Sequence, residues 1–244
     1  MKNIYIETIA PLLRGLTFDG EKGNISIFED NSKKVGFAFN KIRSEETLPL
    51  YLKGVKNQNL LNKEQLEENI ISYTINKFKD YIKKYKQKPK IVILENIGIF
   101  YLGESYDDAI NVKNNFEDIL KNSKRITDNN CNRSSEECCN DGKSNRNDIV
   151  KNKIAVVTGG AQGFGESIVR ELTESECLVF IADINVKGAR KLAEELNIKY
   201  KRTTALAIKV DVTDEDSVRK MIYEIIKKAG GIDIFISNEG RIQA

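Results

Sequence analysis

One stretch constrains this chain more than any other: Lys153-Ile-Ala-Val-Val-Thr-Gly-Gly-Ala-Gln-Gly-Phe-Gly165. Ile154–Val157 is a short, mostly β-branched apolar run, the length of one buried strand. It passes directly into a glycine-rich turn, and Ile168, Val169 and Leu172 then follow at helical spacing. A strand, a glycine turn and a helix start, in that order, make a phosphate cradle. Glycines let the backbone approach a pyrophosphate with no Cβ in the way, and the free N–H groups and positive dipole end of the helix face the anion. A tight turn with no ligand could use the same glycines, so the residues that follow must decide.

They continue the pattern. Strand Ile154–Val157 leads to helix Phe164–Glu174, and strand Leu178–Ala182 to helix Val186–Leu196. Strand Ala205–Val210 leads to helix Glu215–Ala229, with Thr213 as the expected cap and Gly230-Gly231 as the stop, and strand Ile232–Ser237 closes the series. Repeated strand–helix units of this length imply a parallel sheet with right-handed crossovers. Asp183 ends the second strand about 20 residues beyond the turn, where a carboxylate accepts hydrogen bonds from the adenosine ribose and repels a 2′-phosphate. A helix N-cap or turn aspartate is the plain alternative for Asp183. Asp211 follows the third strand, placed to line an adenine pocket, with the same alternative. Ser237-Asn-Glu-Gly240 ends the fourth, where its loop would border the nicotinamide half.

Upstream the signals are weaker. Ile4, Ile6, Ile9, Leu12 and Leu13 fit a helix end or an extended lead-in, and Gly15–Gly23 reads as a loop. Asn24–Phe28 alternates like a strand, Lys33–Lys41 reads as an ill-patterned helix, and Leu48–Leu52 as a short extended piece. Asn62 and Gln65 form a capping-box pair ahead of an apolar stripe from Leu66 to Ile82, and Pro89 stops that helix. Lys90–Leu94 reads as a buried strand, Gly98–Gly103 as a turn or second strand, and Tyr106–Leu120 as a helix. Residues 122–152 are dominated by Asn, Ser, Lys, Asp and Arg, the composition of a disordered linker. Cys131, Cys138 and Cys139 lie in it and read as solvated, reducible thiols rather than a metal site. The expected organisation is thus 1–121, 122–152 and 153–244. The fold class is α/β: a Rossmann-like parallel sheet of about four strands, incomplete, preceded by a smaller α/β segment.

Composition excludes more than it assigns. Charged residues make up 31% and nearly cancel, for a formal net charge of +3, which gives no case for nucleic acid or an anionic membrane. No apolar run approaches the roughly 18 residues needed to span a bilayer, and a signal-peptide pattern is lacking, so a cytoplasmic protein is expected. The absence of histidine removes Ser-His and Cys-His nucleophile pairs, His-ligated zinc and imidazole acid/base chemistry.

Residues 153–244 resemble the first half of a short-chain dehydrogenase/reductase. Thr158-Gly-Gly-Ala-Gln-Gly-Phe-Gly165 matches the family's T-G-x-x-x-G-x-G, Asp183 its NAD-type acidic position, and Asp211-Val212 its D-V pair. Ser237-Asn-Glu-Gly240 corresponds to N-N-A-G with two departures, and Glu176 stands where the family usually has glycine. The resemblance implies NAD(H) as cofactor, held by Thr158, Gly159, Gln162, Gly163, Phe164 and Gly165 at the turn, Asp183 with Ile184, Asp211 with Val212, and Asn238 with Gly240. Ile9–Gly15, Leu48–Leu52 and Ile91–Gly103 resemble the region joining the two activities of bifunctional class II aldolase/short-chain dehydrogenase proteins, of the rhamnulose-phosphate aldolase type. That aldolase needs zinc-binding histidines, and without histidine its chemistry is excluded.

The family's acid/base is a Tyr-x-x-x-Lys pair with a Ser, downstream of N-A-G. The two such spacings here, Tyr73/Lys77 and Tyr223/Lys227, precede that motif and read as helix-face neighbours. No catalytic residue is therefore assigned, and no turnover is expected of the chain alone. By family it is the cofactor-binding half of an NAD-dependent oxidoreductase acting on a small alcohol, polyol or sugar phosphate. A non-catalytic nucleotide-binding or interaction module, or a gene remnant, is the alternative. An apolar edge strand at Ile232–Ser237 is expected to favour self-association or a partner that completes the sheet.

Overall fold

The computed structural model describes residues 2–20, 22–30, 35, 49–53, 62–122 and 149–238. They build two four-stranded sheets. The first region contains α1 (Lys2–Leu16), β1 (Ile25–Glu29), β2 (Leu50–Leu52), α2 (Lys63–Tyr85), β3 (Ile91–Leu94), β4 (Gly98–Gly103) and α3 (Tyr106–Asn122). The second contains β5 (Ile154–Thr158), α4 (Gly163–Glu174), β6 (Leu178–Asp183), α5 (Val186–Tyr200), β7 (Ala205–Lys209), α6 (Glu215–Ala229) and β8 (Ile234–Ile236).

The second sheet is parallel throughout, in the order β7-β6-β5-β8. Strands β5 and β6 are buried along their whole length because both faces are covered. Ala155, Val157, Val179 and Ile181 meet Val169 of α4 and Ala189, Leu192 and Leu196 of α5. Ile154, Val156, Leu178 and Phe180 meet Met221, Ile225 and Ala229 of α6 on the other side. This is an α/β sheet with helices on both faces, as the strand–helix alternation predicts.

The first sheet is mixed, in the order β1-β4-β3-β2, with only β2 and β3 parallel. Val92, Leu94, Phe100 and Leu102 face α1 and α2, whereas Ile93, Ile99 and Tyr101 face Phe116 and Leu120 of α3. The ambiguous N-terminus is a helix, since Tyr5, Ile6, Ile9, Ala10 and Leu13 form one buried stripe. Gly98–Gly103 is a strand, not a bare turn. The capping box of α2 is closed by Gln65 N–H to Asn62 Oδ1 (2.8 Å) and Asn62 N–H to Gln65 Oε1 (3.2 Å). The helix expected over Lys33–Lys41 lies outside the described residues apart from buried Val35, as does 123–148 of the expected linker with its three cysteines.

Several limits differ from the sequence reading. Helix α5 runs on to Tyr200 because Asn197 is held: its Oδ1 accepts from Thr204 N–H (2.8 Å) and Ala205 N–H (2.9 Å), which aims the chain into β7. The cap of α6 is Asp214, which accepts from Asp216 N–H (3.0 Å); Thr213 is instead drawn back to Asp211. Strand β8 is confined to Ile234–Ile236, because Asp233 directs its carboxylate at Ile154 N–H (2.7 Å) and at Arg14 Nη2 (2.5 Å). Glu176 follows α4 with φ 62, a left-handed conformation that glycine adopts at less cost.

The two sheets share α6. Its Met221, Ile225 and Ala229 pack with Ile25 and Ile27 of β1 as well as with the parallel sheet, while Tyr223 and Ile226 pack against the core under α1. Among the described residues three polar ties join the regions: the Arg14–Asp233 pair, Thr203 N–H donating to Asp107 Oδ2 (2.9 Å), and the Tyr223 hydroxyl donating to Asn3 Oδ1 (3.1 Å).

Candidate functional site

Strand order reverses between β5 and β8, and the carboxyl ends of these strands are where an open parallel sheet presents a ligand crevice. The glycine turn sits at this point. Gly159 and Gly163 both have φ +60, a conformation that a side chain disfavours. Gly165 starts α4 against the Gly159 carbonyl oxygen, which a Cβ would strike. The motif glycines thus set two left-handed bends and one close approach.

Helix α4 also differs at its start from α2, α5 and α6. Those are capped by the side chains of Asn62, Asn185 and Asp214, whereas Gln162 makes no side-chain cap to α4. The amide groups of Gly163, Phe164 and Gly165 have no hydrogen-bond acceptor among the described residues. Open N–H groups at a helix start suit an anion. The first-turn acid, Glu166, is neutralised by Arg170 at 2.8 Å.

Asp183 is 8% exposed at the end of β6. Its Oδ2 accepts from Ala161 N–H (3.0 Å) and its Oδ1 from Asn185 N–H (2.8 Å), so it is tied to the glycine turn and to the start of α5 together. Each carboxylate oxygen retains a further lone pair. Across the turn, Asn238 N–H donates to Thr158 Oγ1 (3.2 Å) and Asn238 Nδ2 to the Gly159 carbonyl (3.4 Å). The structure therefore brings Thr158, Gly159, Asp183 and Asn238 to one edge. Three of the exposed large apolar side chains follow the carboxyl ends of β5, β6 and β7: Phe164 (86%) in the first turn of α4, Ile184 (65%) and Val212 (37%).

Asp211 has a local role. Its Oδ1 accepts from the Thr213 hydroxyl (2.7 Å) and N–H (3.0 Å), and these bonds hold its carboxyl below the usual range. The plain alternative, a turn aspartate, thus describes its own contacts, and Val212 is the exposed member of the pair. Gly240 lies outside the described residues. Sequence reasoning missed Ala161, visible only as a backbone donor, and Asn185, whose place before a helix was a readable cap signal.

Neither Tyr-x-x-x-Lys pair belongs to this edge. Tyr223 reaches Asn3 Oδ1 (3.1 Å) on α1, and Lys227 pairs with Glu224 (3.2 Å). Tyr73 lies on α2 and accepts from Lys53 N–H (3.2 Å).

A family profile described as short chain dehydrogenase matches residues 153–244. Over 88 residues the chain is 40% identical to the uncharacterized oxidoreductase YuxG of Bacillus subtilis (strain 168), covering 36% of this chain and 13% of that protein. It is 40% identical over 96 residues to (+)-borneol dehydrogenase 1 of Salvia officinalis, covering 38% and 34%, and 34% identical over 89 residues to meso-2,3-butanediol dehydrogenase of Serratia marcescens, covering 36% and 34%. The chain spans between 13% and 34% of the length of these relatives. Over residues 153–244 the chain is thus similar to a segment of short chain dehydrogenases.

Proposed function

We propose that residues 153–244 are the cofactor-binding half of an oxidoreductase that prefers NAD(H) and transfers hydride to or from a small alcohol, polyol or sugar phosphate. The pyrophosphate would meet the open amides of Gly163–Gly165, and the adenine would lie among Ile184, Val212 and the first turn of α5. One observation carries the cofactor assignment: Asp183 is fixed from both sides by Ala161 and Asn185, with its carboxylate at the edge of the glycine turn. A carboxylate so placed accepts ribose hydroxyls and repels a 2′-phosphate, a preference of about 1–3 kcal/mol. In this reading 1–121 is an aldolase-related segment without a metal site, 122–152 a linker, and the protein cytoplasmic.

Calorimetric titration with NADH and NADPH tests the assignment. NADH should bind at least several-fold more tightly, and Asp183→Asn should remove most of the difference. Tighter NADPH binding to the unaltered chain would overturn it. One observation favours a second reading, a nucleotide-binding module without turnover: both Tyr-x-x-x-Lys pairs are committed to contacts in or with the N-terminal region.

A further inference from the structure

The N-terminal region has a cleft of its own, remote in sequence from the glycine turn. It measures about 410 Å³ and is lined by Tyr51, Lys53, Tyr73 and Lys77. We propose that it binds the phosphate group of a small phosphorylated molecule.

The cleft lies where β2 ends. Lys53 directly follows Leu52, and its N–H donates to Tyr73 Oη (3.2 Å). Because that phenol oxygen already accepts a bond, its own proton is directed elsewhere. Lys77, one turn along α2, places Nζ 5.8 Å from the centroid of the Tyr73 ring. A phenol donor and two ammonium groups therefore surround one cleft, and no carboxylate lines it among the described residues. Neither Lys53 nor Lys77 has an acidic partner among the described residues, whereas Lys63 at the start of the same helix pairs with Glu67 (3.7 Å). Such a set matches a dianion better than a single carboxylate.

The surroundings reinforce the field. From Lys77 to Lys90 the chain holds seven lysines and one acid, Asp80, within a protein whose formal net charge is only +3. The helix dipole accounts for Lys83 and Lys84 in the last turn of α2. It does not account for Lys77, two turns earlier, or for Lys53 on another element. The cleft volume is in the range of small-ligand sites.

Pulse acetylation of the full chain, mapped by mass spectrometry with and without inorganic phosphate, tests this residue by residue. Chloride at matched ionic strength is the control. Phosphate should protect Lys53 and Lys77 about threefold more than Lys79 and Lys83, as expected for donors in direct contact. Tyr73→Phe should weaken phosphate half-protection about fivefold, the loss of one hydrogen bond to an anion. Lys77→Arg should retain protection of Lys53, and Lys77→Met should abolish it. Equal protection of all four lysines, none at all, or an unchanged response in Tyr73→Phe would each overturn the proposal. The readout concerns lysines of the first sheet alone, so it stands or falls apart from the NADH titration.

Discussion

Each of the two sheets buries its two central strands along their whole length, but the sheets expose different chemistry. In the parallel sheet, β5 and β6 are covered on both faces, and the side chains that reach solvent beyond the carboxyl ends of β5, β6 and β7 include the apolar Phe164, Ile184 and Val212, beside amides with no side-chain cap. In the mixed sheet, β3 and β4 are equally buried, yet the groups exposed near β2 and α2 are ammoniums and phenols. Apolar faces and open N–H groups suit a nucleotide; ammoniums suit a compact anion. The contrast teaches that burial alone distinguishes neither region as scaffold or site. The distinction lies in which polar groups each edge leaves unsatisfied.

The sharpest way to break the contrast is at the glycine turn. Gly165→Ala drives a Cβ into the Gly159 carbonyl, so the turn must shift. NADH affinity should fall at least tenfold, with a stability cost of about 1–3 kcal/mol, the usual range for overpacking. Retained affinity would mean that the turn does not hold the pyrophosphate.

The tie between the regions is the next largest effect. Arg14→Met leaves the partly buried Asp233 carboxylate without its cation, though Ile154 N–H still donates to it. A loss of about 2 kcal/mol in chemical denaturation is expected, below the cost of breaking a fully buried pair. Asp233→Asn with Arg14→Met should recover part of it. Two separate unfolding transitions in the unaltered chain would show that α6 does not couple the sheets.

Glu176→Gly should stabilise the chain by about 1 kcal/mol, by relieving the left-handed conformation of a residue with a Cβ. The ion pair with Lys151 (3.2 Å) offsets little of this, being solvent-exposed. A destabilised variant would place the value of this position in its charge.

The smallest effect is one of pH. Cys177 is buried at the start of β6, with its thiol donating to the Val150 carbonyl (2.8 Å), and burial pushes it up to about 11. A thiol that ionises less readily when folded stabilises the fold fully below its unfolded value. That contribution fades as pH rises from about 9 toward 11. Thermal unfolding across this window should decline less steeply in Cys177→Ala.

The parallel sheet was readable because β5, β6 and β7 are each followed by a helix, with local stop signals between the units. Gly230 is an example, and a period of 2 changing to 3.6 needs no distant partner. The mixed sheet was not, because β1 pairs with β4 at separations running from Glu29–Ile99 to Ile25–Gly103, and no local signal records that register. The position of Asp183 was legible, but its hydrogen bond from Ala161 N–H was not, since a backbone donor has no side-chain signature. Asp211 is ambiguous for a related reason: an aspartate three residues before a helix cap reads identically whether it faces a ligand or Thr213.

Hydrogen–deuterium exchange with and without NADH tests the central claim most directly, because it reads both regions in one experiment. Amides of residues 159–165 and 183–185 should slow on adding NADH, while those of α2 and β3 should not change. No slowing across 159–165, or slowing confined to the N-terminal region, would contradict the account.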